Sequence, residues 1–473
     1  MAAPYPVDPL LSGPFAPIRM ECDCADLILE GDLPRGLEGT LYRIGPNPQF
    51  APRGAYNPLQ GDGMIHAFRL EGGRVSYRNR WVRTRQWSLE REAGRALFAT
   101  ADPRDHDPSV AGVRSQGAAN THIVAHAGRL LALEEGHPPI EIEADTLETR
   151  GPYDFGGRLP GPMTAHPKFD PATGEMLFFA NFPDRRFDGA LSLYVADAAG
   201  EIVRAERVPG PYPALVHDFA VTESHVVFVV CPLILSLERL QAGAAPIAWE
   251  PERGAFVGVL PRAAAGSEVR WSPAPAGMAW HMLNAFEADG RIHIDLCQQA
   301  APAFPKPDGT AAPEEELRQF LTRWTVDLRG DAPVAVRRLS GTVCEYPRMD
   351  ERRSGRSYRY GFVACLGGPG TGDLAHRGIG RFDHATGQMR IWTAGEGQAI
   401  SEPVFTPRPG SSEEGDGYLL ATIYDEPRRA SCLAVFDAGQ VETGPLARAW
   451  LDHRVPAGFH GSFGERGRAQ ADA

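Results

Sequence analysis

The stretch T-A-H-P-K-F-D-P-A-T-G-E, residues 164–175, places a histidine before a tight turn that opens an apolar β-strand. D-P-A-T-G (170–174) is typical of a turn between two strands, and Met176–Ala180 is the apolar run that follows it. His166 stands on the strand side of the turn and is directed away from it. Such a histidine is either a metal ligand or, more commonly, a structural histidine with satisfied ring nitrogens.

Short strand-like runs separated by turns fill most of the chain, and its 52 glycines and 42 prolines fit that pattern. The predicted strands are 39–44, 66–70, 74–84, 122–126, 129–134, 175–182, 191–197, 225–230, 292–296, 361–366, 418–424 and 432–437. Helical patterns are scarce. They cover residues 108–113, 233–243 and 313–321.

The fold class predicted from this pattern is all-β. So many short strands need their edges protected, and a closed β-propeller with long inserted loops does that. At roughly 45–60 residues per blade, the chain would hold about seven blades. The turns recur without a fixed period and no change of composition marks a linker, so we predict a single domain over residues 1–473.

Charge and hydropathy exclude several classes of function. The net charge is −12 without a long basic block, which argues against nucleic-acid binding. We find no run of about 18 apolar residues that could span a membrane. The N-terminal residues lack the pattern of a signal peptide, which predicts a cytoplasmic protein. The seven scattered cysteines (22, 24, 231, 297, 344, 365 and 432) are then expected to be reduced thiols.

Four histidines occupy similar settings, each at a strand end among apolar or small neighbours. Their stretches are A-H-P-K (165–168), L-V-H-D-F-A-V-T (215–222), A-W-H-M-L-N-A-F-E (279–287) and G-F-H-G-S-F (458–463). Separations of 51, 64 and 179 residues exclude a zinc finger. Inner strands of a propeller converge on one axis, so the four imidazoles could surround one ion of iron, copper, nickel or zinc.

Three glutamates suit a supporting role around such an ion. Glu135 lies in L-A-L-E-E-G (131–136), Glu345 in C-E-Y-P-R (344–348) and Glu402 in S-E-P-V-F-T-P-R-P (401–409). Four neutral imidazoles leave the metal charge unneutralised, and carboxylates that accept a hydrogen bond from the ligands' other ring nitrogens compensate for it. The alternative for each glutamate is a surface residue or a structural ion-pair partner.

These residues stand in motifs that resemble the carotenoid cleavage oxygenases, iron-dependent enzymes that split conjugated double bonds with O2. The similar stretches run nearly end to end and keep the family's order. They are G-T-L-Y-R-I-G-P-N-P (39–48), G-D-G-M-I-H-A-F (61–68), N-T-H-I-V-x-H-x-G-R-L-L-A-L-x-E-G (120–136), T-A-H-P-K-x-D-P-x-T-G-E (164–175), V-H-D-F (216–219), W-H-M-L-N-A-F-E (280–287), E-P-V-F-x-P-R-P (402–409) and R-V-P-x-G-F-H-G (454–461).

The resemblance implies a seven-bladed β-propeller with a loop and helix dome over a central metal site. It implies Fe(II) as the cofactor, with His166, His217, His281 and His460 as ligands and Glu135, Glu345 and Glu402 as the carboxylates behind them. Oxygen from O2 would enter both carbons of a double bond, and two carbonyl products would leave. No catalytic residue beyond the metal centre is implied.

The substrate implied is a hydrophobic conjugated molecule, and two positions bear on its class. The stilbene-cleaving branch of the family holds the substrate's phenol with a lysine and a tyrosine, which would align here with Glu134 and near Ala101. The absence of both handles favours an apocarotenoid cleaved at its 15,15′ bond to give retinal. The alternatives are cleavage of a stilbene or phenylpropene (lignostilbene, resveratrol or isoeugenol type), the isomerase activity of one animal branch, and a metal-free propeller that binds a ligand or protein.

The leucine-rich segment C-P-L-I-L-S-L-E-R-L-Q-A-G-A-A-P-I-A-W (231–249) bears on how such a substrate is reached. In the family, the equivalent region is a nonpolar patch that dips into the membrane. The resemblance therefore predicts peripheral membrane contact here, with an ordinary core helix as the alternative.

Overall fold

A computed structural model describes residues 3–100, 102–113, 115–182 and 187–465 of the chain. The chain divides into two compact units, the first comprising residues 1–165, 394–411 and 417–473 and the second residues 166–393 and 412–416. Antiparallel sheets dominate both units, which confirms the prediction of a mostly-β protein with few helices. The count of seven blades and the dome stay predictions.

The N-terminal part of the first unit contributes nine strands to its sheets. They are β1 (Asp23–Cys24), β2 (Ile28–Gly31), β3 (Gly39–Pro46), β4 (Gly63–Glu71), β5 (Arg74–Trp81), β6 (His122–His126), β7 (Arg129–Leu133), β8 (Ile140–Ile142) and β9 (Thr149–Pro152). Strands β6 to β9 form a four-stranded sheet in chain order.

The second unit contains the middle strands of the chain. They are β10 (Lys168–Phe169), β11 (Met176–Asn181), β12 (Leu191–Ala196), β13 (Ile202–Val208), β14 (Phe219–Val221), β15 (His225–Val230), β16 (Leu233–Leu235), β17 (Ile247–Trp249), β18 (Ala255–Pro261), β19 (Arg270–Ala274), β20 (Met278–Ala288), β21 (Arg291–Gln299), β22 (Phe320–Asp327), β23 (Ala335–Met349), β24 (Tyr360–Cys365), β25 (Gly378–Asp383) and β26 (Gln388–Thr393). Their sheets have the orders β10-β11-β12-β13, β14-β15-β18-β19, β16-β17 and β20 through β26.

The C-terminal strands return to the first unit and complete its sheets. They are β27 (Gln398–Ile400), β28 (Val404–Pro407), β29 (Gly417–Asp425), β30 (Ala430–Asp437), β31 (Pro445–Trp450) and β32 (Gly461–Glu465). One sheet has the order β1-β5-β4-β3-β32, and another has the order β2-β31-β30-β29-β27, with β28 also paired to β29. Both sheets therefore join N-terminal strands to C-terminal ones.

The burial of these strands explains why apolar runs in the sequence predicted them. Strands β11, β12 and β29 are buried at every residue, so both faces of each are covered. Trp324 of β22 is fully buried in the second unit, and its Nε1 donates to Oε1 of Gln298 at 3.0 Å. All seven cysteines are free, as predicted.

The helices differ from the sequence-based prediction. Helix α1 (Arg85–Ala93) was missed, because the residues that it buries, Gln86 and Glu90, are polar and give no apolar period. Of the predicted helical stretches, 108–113 and 313–321 supply only the 3-10 turns Pro108–Val110 and Glu314–Leu317. Among the described residues, further 3-10 turns are Pro9–Leu11, Gly13–Phe15, Pro58–Gln60, Pro103–Asp105, Pro251–Arg253, Gly266–Glu268, Glu351–Arg353 and Val441–Thr443.

The leucine-rich segment 231–249 is a hairpin rather than one helix. Strands β16 and β17 pair through Leu233–Trp249 and Leu235–Ile247, and the short helix α2 (Leu237–Gln241) joins them. Leu237 and Leu240 are 41% and 48% exposed. Within the described parts of the chain, no helix has both the length and the apolar character needed to cross a membrane. Peripheral membrane contact stays a prediction.

Helix α1 makes the free energy of unfolding depend on pH. Oε1 of the buried Glu90 accepts from the backbone N–H groups of Leu97 and Phe98 at 2.8 and 2.9 Å. Burial, together with the charge of Asp62, raises the pKa of Glu90 to about 8 from an ordinary value of 4.5. Because the folded protein holds this proton more tightly than the unfolded chain does, the Glu90 contribution to stability falls as pH rises from 4.5 to about 8.

We expect Glu90→Gln to raise the melting temperature above that of the unmodified protein at pH 8.5 and to leave it unchanged at pH 4.5 or below. Glutamine keeps the acceptor oxygen but has no proton to lose. Thermal unfolding followed across this pH range measures the difference. The matched control is Glu92→Gln, an exposed position on the same helix. Parallel pH profiles for Glu90→Gln and the unmodified protein would contradict the assignment.

Candidate metal centre

Three histidines of the second unit bring their Nε2 atoms together. The Nε2 atom of His217 lies 3.1 Å from that of His166 and 3.2 Å from that of His281. The three rings are steeply inclined to one another, at 60°, 63° and 65°. Among the described residues, this is the one group of histidine, cysteine or acidic side chains whose ligand atoms lie close enough to share an ion.

His166 and His217 reach this point from just outside their sheets. His166 lies two residues before β10, and His217 lies two residues before β14. At these positions the side chains are free of the strict two-sided alternation of a strand. The side-chain amide of Asn181 fixes the approach to His217, because it donates to the carbonyl of Val216 at 2.8 Å and accepts from its N–H at 3.1 Å.

His281 lies inside β20 and is aimed by a bulge. The pairing of β20 with β21 shifts between Ala279 and Met282, and Trp280 and His281 have no Cα partner there. A bulge interrupts the alternation of side chains and re-aims the residue that it carries. A regular strand would place alternate residues on opposite faces, so the bulge decides where His281 points.

Glu345 of β23 orients His281. Its two carboxylate oxygens lie 2.7 and 2.8 Å from Nδ1 of that histidine. An imidazole that donates its Nδ1 proton to a carboxylate presents a lone pair on Nε2, as a metal ligand must. The backbone N–H of Tyr346 also donates to Glu345, and the φ of 52° at Tyr346 coincides with a register shift of β23.

The donor set fits a first-row transition-metal ion. Imidazole nitrogens suit iron, copper, nickel and zinc, and the three ligand atoms lie close enough together to share one such ion. Three histidines would leave positions for further ligands.

Two aromatic side chains beside the histidines were missed in the sequence. The Trp280 ring stands edge-on to that of His217, with centroids 5.0 Å apart, and continues to Phe304 at 6.2 Å. The Tyr346 ring is inclined by only 24° to that of His281 at 5.7 Å. Trp280 directly precedes His281 and Tyr346 directly follows Glu345 in the chain. This adjacency to predicted site residues could have identified both aromatic residues in the sequence.

The first unit contains a second carboxylate–imidazole pair of the same design. Oε1 of the buried Glu402 lies 2.9 Å from Nδ1 of His460. Its other oxygen, Oε2, accepts from Arg43 at 3.1 Å and from the backbone N–H of Gly461 at 2.8 Å. His460 lies directly before β32, as His166 and His217 lie before their strands. The roles of His460 as a fourth ligand and of Glu402 as its carboxylate stay predictions.

The remaining predicted site residues are Glu134, Glu135 and Ala101. Glu135 follows β7 in the first unit and is half-buried, and its role behind a ligand stays a prediction. Glu134 is buried and forms a short ion pair with Nδ1 of His137. Burial lowers the pKa of His137, but the hydrogen bond and charge of Glu134 outweigh it and raise that pKa. Ala101 lies outside the described residues.

Known proteins resemble the chain over nearly all of its length. A family model described as retinal pigment epithelial membrane protein matches residues 15–465. An isoeugenol monooxygenase of Pseudomonas nitroreducens is 37% identical over 474 residues, 96% of this chain and 98% of that protein. The crystal structure of a lignostilbene dioxygenase from Pseudomonas brassicacearum superposes with a TM-score of 0.93 and 34% identity, over 98% of this chain and 100% of that one. A variant of the Synechocystis apocarotenoid oxygenase gives 0.84 and 29%, over 95% and 97%.

We expect Glu345→Gln to weaken iron(II) binding by about 10- to 100-fold, because the amide carries no charge to polarise His281. The dissociation constant is measured anaerobically by competition with a chelator. The matched control is Glu287→Gln on β20, the strand of His281, because Oε1 of Glu287 also lies 2.9 Å from a histidine Nδ1, that of His225. Equal affinities for Glu345→Gln and the unmodified protein would remove Glu345 from the metal centre.

Proposed function

The chain belongs to the retinal pigment epithelial membrane protein family, which includes the carotenoid cleavage oxygenases, and from this membership we propose that it is an iron(II)-dependent dioxygenase that cleaves the C=C double bond of a phenylpropene or stilbene. It is an oxidoreductase that incorporates O2, like the relatives it matches. The observation that carries the proposal is the convergence of the Nε2 atoms of His166, His217 and His281 with Glu345 behind them.

Iron(II) is proposed because neutral imidazoles suit it and a set of three histidines would leave positions open. His166, His217 and His281 would hold the ion, with His460 as the predicted fourth ligand. Iron would supply the activation of O2. In the overall reaction the C=C and O=O bonds break and two C=O bonds form, so each product carries one oxygen atom. The balance needs no other reductant and no side chain as a general base.

The proposed substrate class differs from the one that the sequence alone favours. The relative at 37% identity is named for isoeugenol, a phenylpropene, and the structure at 34% for lignostilbene, whereas the apocarotenoid oxygenase is at 29%. The preference for an apocarotenoid depended on the absence of both phenol handles, the lysine at Glu134 and the tyrosine near Ala101, and on the acid at Glu134 repelling a phenolate. The ion pair with His137 weakens that argument, because a protonated His137 balances the charge of Glu134.

The aromatic side chains beside the histidines support a flat aromatic substrate. Trp280 and Tyr346 each adjoin a histidine ring of the triad at 5.0 and 5.7 Å. Rings of this kind pack against an aromatic substrate by offset or edge-on contacts. Their role in the reaction would be to hold the double bond in place and to exclude water.

An apocarotenoid is the second candidate substrate, and one observation favours it. The exposed leucines 237 and 240 lie on α2, at the tip of the 231–249 hairpin. A tip of this kind would let the protein touch a bilayer, where carotenoids dissolve. We propose this peripheral contact as weak and reversible, since α2 is short. The metal-free binding propeller finds no support in the converging nitrogens.

We expect the iron-loaded protein to convert isoeugenol or 4-hydroxystilbene to aromatic aldehydes under air, while apo-8′-carotenal in the same mixture stays intact. Mass spectrometry of the products measures both reactions at once. His217→Ala, checked for folding by circular dichroism, is the control and should produce neither set of products. A C20 retinal-type aldehyde with both phenols untouched would instead establish the apocarotenoid substrate.

A further inference from the structure

Asp218 connects two of the segments that carry the histidines. It directly follows His217, and its carboxylate is only 2% exposed. Its Oδ1 lies 2.7 Å from Nζ of Lys168, which lies two residues beyond His166. This salt bridge therefore couples the position of the His166 segment to that of the His217 segment.

The second oxygen of Asp218 reaches the third segment. Oδ2 accepts from the backbone N–H of Met282 at 2.7 Å, and Met282 directly follows His281. This contact falls at the bulge of β20, where the ladder with β21 is interrupted. The carboxylate thus supplies an acceptor at the site of the bulge and joins it to the other two segments.

We propose that Asp218 is a positioning residue that sets the mutual spacing of the three Nε2 atoms, with Lys168 as its partner. The proposal rests on the proposed function only in taking these histidines as metal ligands. Asp218 does not belong to the group of side chains whose ligand atoms converge. It acts through the backbone next to His281 and through the side chain of Lys168.

The chemistry of the site requires a carboxylate at this position. The Lys168 ammonium and the Met282 N–H are both donors, so both oxygens of residue 218 must accept. Asparagine offers one acceptor, and in either orientation its NH2 group faces a donor. A buried carboxylate also needs its cation, because a charge left without its partner in the interior is strongly unfavourable. Lys168 lies 5.9 Å over the Phe219 ring, which limits its other conformations.

The test compares Asp218→Asn and Lys168→Met with a buried ion pair that lies beside β20, where Asp295 pairs with Asn284 three residues beyond His281, but that involves neither Asp218 nor Lys168. Asp295 is fully buried and binds Arg323 through both oxygens at 2.7 and 2.8 Å, and Asp295→Asn is the matched control. Cobalt(II) alone serves as the probe, since its visible absorption reports ligand geometry and needs no turnover. Its dissociation constant is measured by chelator competition.

We expect Asp218→Asn and Lys168→Met to weaken cobalt(II) binding by about 10-fold or more and to change the visible spectrum. Lys168→Arg should restore both, because it keeps the cation. The double variant should bind no more weakly than Asp218→Asn, since the two residues act as one unit. Asp295→Asn should lower the melting temperature and leave spectrum and affinity unchanged.

A wild-type spectrum and affinity in both Asp218→Asn and Lys168→Met would overturn the proposal, whatever their stability. If Asp218→Asn fails to fold, Lys168→Met decides the question alone, because it leaves the carboxylate in place. If the proposed function is wrong but Asp218 does position the histidines, a different set of results is expected. The unmodified protein would bind cobalt(II), His217→Ala would lose it, and iron-loaded protein would cleave none of the alkenes.

Discussion

The convergence of three imidazole rings is the constraint on which the candidate metal centre depends. Neighbouring Nε2 atoms lie 3.1 and 3.2 Å apart, and the rings keep these separations only if the segments that carry them are fixed. The histidines come from three different sheets, so the support comes from contacts between segments. Asn181 clamps the chain before His217, Asp218 joins the three segments, and Glu345 fixes the tautomer of His281. In the proposed metal centre, a cation would bind the Nε2 atoms that these contacts hold together.

The predictable features of the fold and site are those that depend only on residues close together in the chain. Apolar runs between turns predicted strands such as β6 and β15 to the residue, because a buried strand needs such a run wherever it lies. The histidines and Glu345 stood out as polar residues in apolar surroundings. The contact between Lys168 and Asp218 was not predictable, because the two are brought together only by folding. Helix α1 was missed because a glutamate, kept neutral by burial, takes the place of an apolar residue.

The preference for an apocarotenoid shows what a single residue does not reveal. It was based on the absence of a lysine at Glu134 and of a tyrosine near Ala101, whereas the surroundings of Glu134 become visible only in the folded chain. There, Nδ1 of His137 contacts the Glu134 carboxylate, and this contact raises the pKa of His137. In each unit a buried carboxylate also accepts from a histidine Nδ1, Glu402 in the first and Glu345 in the second. The type of a residue is therefore a poor guide to what a site repels, because the partners that folding brings to it also decide its charge.

The pairing of β32 with β3 has a consequence for biosynthesis. Residues 39–43 leave the ribosome long before residues 461–465, which they pair with. During that interval a nascent chain keeps one edge of β3 open, and open edges recruit other strands. Completion of this sheet is thus coupled to translation of the segment that carries His460. A prematurely terminated chain would lack both the closing strand and that histidine, and its exposed edge would mark it for chaperones and proteases.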